Sequence, residues 1–230
     1  VRGRHLAFRR FWTTEAGLTG VLVFLLLYFI ASFSLDRFHF AKFLSLIFLS
    51  LFFISAAVSV SDRPISKLVF GGLALVALGF IWTDFFFPTL GLRTWRALAD
   101  ILVVGYLIIL LLSHVFREGT ITYHRICGAL AVYLLLSWMW GSIYLLILRY
   151  NPGAITLPPE VLSGPFEGLE AAVLYFSVVT LTTLGYGDIV PVSHSARLAV
   201  MLEALFGQLY PAIMLAWLVS MEIVDRTQKR

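Results

Sequence analysis

Between Thr180 and Pro191 the chain reads TLTTLGYGDIVP, with three threonines, two glycines around a tyrosine and an aspartate set between strongly apolar segments. No nucleophile, base or metal-ligand cluster lies in this run, so the chemistry it can offer is that of its backbone. A cation stripped of water needs a ladder of oxygens in place of its hydration shell, and carbonyls aimed at one axis supply it. Consecutive carbonyls point the same way only where some residues adopt conformations closed to a Cβ, a task for Gly185 and Gly187. Thr183 can add its hydroxyl at the inner end of such a ladder.

Such a stretch has to be held by elements that live in a membrane. The 230 residues are 60% hydrophobic and only 13% charged, with a mean hydropathy of +0.92, outside the range of soluble domains. The net charge of +4 is spread over short loops and tails rather than one face, which argues against nucleic-acid binding. One cysteine, Cys127, excludes an intrachain disulfide. The arginine-rich start is expected to lead into a retained first helix rather than a cleaved signal, since no small-residue cleavage pattern follows and more spans come after it.

A bilayer core of about 30 Å takes about 20 apolar residues of helix. Windows of that kind run over Ala16 to Phe33, Phe43 to Val60, Leu68 to Phe87, Ala97 to Ser113, Ile126 to Leu148 and Arg197 to Ile223, giving six expected crossings. Ahead of the last one, a Pro-rich loop leads into EGLEAAVLYFSVVTL, too short to cross and return. It reads as a re-entrant helix, with Gly164 and Pro165 as its start signal. With both ends inside, Lys and Arg divide 11 inside against 6 outside, which places the glycine motif on the outer side. Trp12 and Tyr123 near inner ends, and Trp82, Trp95 and Tyr150 near outer ends, suit interfacial belts.

The residues Thr183-Leu184-Gly185-Tyr186-Gly187-Asp188 resemble the selectivity-filter signature of potassium channels, usually Thr-Val-Gly-Tyr-Gly-Asp. Thr180, Thr182 and Pro191 also fit that family. Leu184 departs from the commoner valine, a change expected to affect packing behind the filter rather than the oxygens before the ion. A chance match to this pattern is on the order of one in ten thousand from average residue usage, so composition does not explain it. The resemblance implies an all-α membrane protein of six transmembrane helices plus pore helix and filter, with potassium as the permeant ion, the carbonyls of Thr183, Leu184, Gly185 and Tyr186 as its ligands, and Gly187 and Asp188 supporting them, Asp188 at the outer mouth. Four filter segments close a ring and each chain has one, so a homotetramer in lipid is expected.

In the last span Gly207 stands twenty residues after Gly187, the separation at which family members carry a hinge glycine. Pro211, one turn on, removes a backbone bond and can kink the helix; close packing at Gly207 is the other reading. Helical spacing then sets Gln208, Pro211, Leu215 and Val219 on one stripe. Four copies would give a polar ring at Gln208 beneath the filter and apolar gating rings at Leu215 and Val219. Tyr175 is placed to hydrogen-bond Asp188 from behind, where many relatives have tryptophan, and Val179 stands where some have a glutamate partner for the aspartate. Glu203, a charge inside the membrane, is expected to bond the back of the re-entrant helix, with a response to pH as the other reading.

Six spans with the pore last resemble the layout of voltage-gated channels, whose fourth span carries arginine at every third position. Here Arg93 and Arg96 keep that spacing, but Ala99 and Leu102 end the series. Steep voltage dependence needs three or four gating charges per subunit, so weak or absent sensing is expected. The two arginines are expected to snorkel to the outer headgroups, while Asp84 and Asp100 offer partners within the membrane.

The expected domains are a four-helix, voltage-sensor-like unit over 1–115, a cytoplasmic linker over 116–125 holding His124 next to His114, and a pore unit over 126–230. No soluble domain for a cytoplasmic ligand is expected, and no enzyme motif is present. A nonselective cation channel or a non-conducting regulatory subunit are the rival readings. An intact Tyr186 and Asp188 count against both, and a single filter copy counts against a transporter with four pore loops in one chain.

Overall fold

The computed structural model describes residues 2–34, 39–59, 64–87, 91–116, 122–163 and 166–228. Eight helices and two short strands follow in the order α1 (Arg2–Ser34), α2 (His39–Ser59), α3 (Pro64–Phe86), α4 (Arg93–Val115), α5 (Tyr123–Tyr150), β1 (Ile155–Thr156), α6 (Pro159–Ser163), α7 (Phe166–Leu181), β2 (Val190–Pro191) and α8 (His194–Gln228). Four of them, α3, α4, α5 and α8, are long and apolar enough to cross a membrane. Shorter apolar stretches lie in α1 (Gly17–Phe33), α2 (Phe43–Ala57) and α7 (Gly168–Leu181). The chain is a multi-pass, mainly helical membrane protein.

Burial follows the helical period. On α3 the buried residues are Phe70, Ala74, Ala77 and Ile81, spaced to lie on one stripe, while Leu68 and Leu75 face outward. In water such an apolar outer face would be costly; in lipid it is the ordinary one. The core runs between α1, α2, α4 and α5, where Trp138 of α5 packs on Tyr28, Phe52 and Phe53. α5 is the shared wall. On one side it meets α1 and α4, on the other α7 and α8.

Helix bounds depart from the apolar windows in a consistent way. α4 begins at Arg93, not Ala97, so both arginines lie in its first turns. α5 begins at Tyr123, which moves His124 out of the expected linker: its Nδ1 is 2.7 Å from the Thr19 hydroxyl of α1. Linker residues 117–121, Gly164 and Pro165 lie outside the described residues. The Pro-rich loop holds structure that its composition hid, β1 and the short α6. β1 pairs antiparallel with β2, Ile155 opposite Pro191 and Thr156 opposite Val190. The Ala154 carbonyl accepts from Val192 N (2.8 Å) and Ser193 N (3.1 Å). Ser193 then caps α8, its hydroxyl accepting from Ala196 N at 3.1 Å.

Candidate functional site: the segment between α7 and α8

α7 spans 16 residues, about 24 Å at 1.5 Å per residue, and stops short of a bilayer's thickness. Its last carbonyls are not left bare. Thr182 N bonds Val178 O (3.0 Å), Thr183 N bonds Thr180 O (2.9 Å), and Leu184 N bonds Val179 O (2.9 Å), with Gly185 N at 3.4 Å from the same oxygen. The amides at the start of TLGYGD are thereby spent on the helix end. Among the described residues no hydrogen bond ends on the carbonyls of Thr183, Leu184, Gly185 or Tyr186. Oxygens without partners on an exposed backbone are free to bind something else.

The backbone alternates here. Positive φ occurs at Thr183 (58°), Gly185 (59°) and Gly187 (81°), with Leu184 and Tyr186 outside that region. Two of the three are the glycines that the sequence marks for it. The third is a β-branched residue in the left-handed region, a conformation that costs on the order of 1–3 kcal/mol and is kept where surroundings over-determine it. Thr182 to Asp188 are all exposed in the single chain.

Behind this segment the contacts are dense. Tyr175 of α7 has its hydroxyl in hydrogen-bonding reach of Asp188. Gly207 of α8 passes the end of α7 so closely that a Cβ there would stand 2.0 Å from the Leu181 carbonyl oxygen. That oxygen accepts the Tyr133 hydroxyl at 3.0 Å, and Tyr133 stacks on Tyr210 at 6.0 Å. α8 runs through Gly207 and Pro211 as one helix, and in this structure Gly207 serves the approach of two backbones. Gln208 Nε2 lies 3.3 Å from the Thr183 hydroxyl. Gln208, Pro211, Leu215 and Val219 all face out of the single chain.

Glu203 is wholly buried and receives hydrogen bonds from Tyr144 of α5 and Ser177 of α7. Ser177 also reaches the Ser137 carbonyl at 2.7 Å. Three helices are joined through one carboxyl group directly behind the α7–α8 contact.

The charged residues of α4 are placed differently from their expected snorkelling position. Arg96 is turned inward, its side chain 15% exposed, with Nη1 2.9 Å from Glu170 Oε1 and 3.1 Å from Asp84 Oδ2. Nη2 donates to Glu170 Oε2 at 3.1 Å, so the fork grips the α7 carboxylate at two points. Burial of so large a cation is offset by its pairing with two carboxylates. Arg93 remains 40% exposed, with Nε 3.9 Å from Asp84 Oδ1. Asp100, a turn deeper, is buried with Oδ1 unbonded beside a cavity of about 30 Å³ that Arg96, Glu170 and Tyr28 also line.

Glu170 is the partner that sequence reasoning missed. It stands 74 positions from Arg96, and its one available signal was its place as the second of two acids, after Glu167, at the start of a mainly apolar helix. Among the described residues no grouping of three or more His, Cys, Asp or Glu side chains could hold a metal ion. No solved structure matches the chain. Residues 166–223, which hold α7, the exposed carbonyl segment and most of α8, match the family described as ion channel, and over that segment the chain is similar to ion channels.

Proposed function

We propose that the chain is one subunit of a potassium-selective channel that conducts passively through a central pore shared by four copies. The observation that carries this reading is the row of unbonded, exposed carbonyls from Thr183 to Tyr186, built on alternating positive φ within a segment similar to ion channels. Four such rows around one axis would surround a dehydrated potassium ion with oxygens. Gln208 would line the cavity beneath, and Leu215 and Val219 would form apolar rings able to close by dewetting. On this reading α1, α2, α3, α4, α5 and α8 make six crossings with both termini cytoplasmic, 1–115 is a voltage-sensor-like unit and 126–230 the pore unit, with 116–125 joining them through the first turn of α5.

Voltage dependence is weak or absent in this proposal. Only two arginines occupy the ladder positions, and Arg96 is held at two points by Glu170 of α7, so moving it outward breaks a pair inside the membrane. The first four helices then act as a brace on the pore helix. Single-channel recording of purified protein in a planar bilayer, potassium facing sodium over stepped voltages, tests the whole. A reversal potential far toward the potassium value with a shallow voltage response is expected. Reversal near zero overturns selectivity, and opening that rises steeply over a few tens of millivolts overturns the brace.

A further inference from the structure

At the end of the molecule that carries the mouth of the carbonyl segment, a groove of about 230 Å³ opens between α4 and α5. Its walls are apolar, with Ala97 of α4, Leu145 and Leu148 of α5, and Leu169 of α7. Two arginines stand on its rim, Arg93 and Arg149. Among the described residues lining it there is no carboxylate, and none lies within ion-pair distance of the exposed Arg149. Arg93 is paired with Asp84 on the other side, and the exposed Arg149 is the cation that the rim offers beside it. Thr94, in the first turn of α4, adds a hydroxyl to the groove, and that turn has no side-chain cap from Leu92, leaving its amides suited to an anion.

The depth of the site in the membrane is marked independently. Trp95 (62% exposed) and Tyr150 (80% exposed) adjoin the two arginine regions in sequence, and exposed amphipathic rings of this kind collect where headgroups meet the hydrocarbon. A ligand that fits is therefore anionic at one end and apolar at the other, with the boundary at the membrane interface. We infer that this groove binds an anionic phospholipid, its phosphodiester between Arg149 and Arg93 and part of an acyl chain against Ala97, Leu145 and Leu169. The site joins the four-helix unit to the pore helix, since Leu169 adjoins Glu170, so an occupied groove would add to the brace made by Arg96. The inference rests on the membrane location of the chain and not on its ion selectivity.

Native mass spectrometry of the purified protein, loaded with phosphatidylglycerol or with phosphatidylcholine of the same chains, tests this without any conduction. The expected result is retained phosphatidylglycerol adducts, weakened about fivefold by Arg149→Gln and unaffected by Arg197→Gln, an exposed arginine outside the groove. Equal retention of the two lipids overturns the inference. So does an Arg149→Gln protein that keeps its adducts, or an equal loss with Arg197→Gln. A second variant, Leu145→Gln, places a polar group on the apolar wall and is expected to weaken retention while Arg149 stays intact; unchanged binding there removes the acyl-chain half.

Discussion

Gly207→Ala separates two roles for one residue by the sign of its effect. If Gly207 only lends flexibility to α8, alanine adds helix propensity and stabilises by about 1 kcal/mol. The structure gives the opposite sign. An added Cβ would lie 2.0 Å from the Leu181 carbonyl oxygen and 2.8 Å from its carbon, and both are backbone atoms that no rotamer change can move. Ordinary contact begins near 3.4 Å, so α7 and α8 must part by more than an ångström. Overpacking of this kind costs about 1–3 kcal/mol, and displacing Leu181 also weakens the Tyr133 bond (3.0 Å), worth about 1 kcal/mol. After the propensity gain, a net loss of about 1–3 kcal/mol per subunit remains, several degrees of melting temperature. Because Leu181 directly precedes the carbonyl segment, the displacement should also disturb Thr183. Thermal melting of the detergent-solubilised protein, followed by fluorescence-detected size exclusion, reads the effect. A melting temperature equal to or above that of the parent protein would refute the packing account.

Removing Arg96 leaves Asp84, Asp100 and Glu170 without their shared cation, so Arg96→Gln is expected to destabilise by about 3 kcal/mol, and adding Glu170→Gln should restore part of that loss in the same melt. If the double variant is worse by the simple sum of the two singles, the pair is not coupled. Glu203→Ala deletes the acceptor of two buried hydrogen bonds and is expected to cost about 3 kcal/mol, while Glu203→Gln, still able to bond Tyr144 and Ser177, should retain most of the parent stability; indistinguishable melts for the two would count against the three-helix junction. Leu215→Asn or Val219→Asn is expected to raise the open probability in single-channel recording by wetting the apolar rings, and unchanged resting current in both would remove these residues from the gate.

What could be read from the chain alone was what local rules control. Apolar windows marked helices because membrane solvation acts on each segment by itself. Gly185 and Gly187 marked positive φ because the constraint is a property of the single residue. The stripe Gln208, Pro211, Leu215 and Val219 follows from helical period, whereas its exposure in the single chain is read only from the structure. Tertiary structure decided the rest, since the interacting groups are distant in the chain. Nothing near Arg96 pointed to Glu170, and the expected snorkelling gave way to an ion pair because a carboxylate from α7 arrives in the same buried space. Thr183 takes a positive φ that its own side chain disfavours, held by the bonds that its neighbours make to the end of α7. Gly207 suited a hinge and close packing equally, and only the tertiary structure shows that the Leu181 carbonyl, 26 residues earlier in the chain, lies against it. Spacing reports what one helix or turn can do; which backbone passes within 2.0 Å of a missing Cβ is settled by the packing of whole helices.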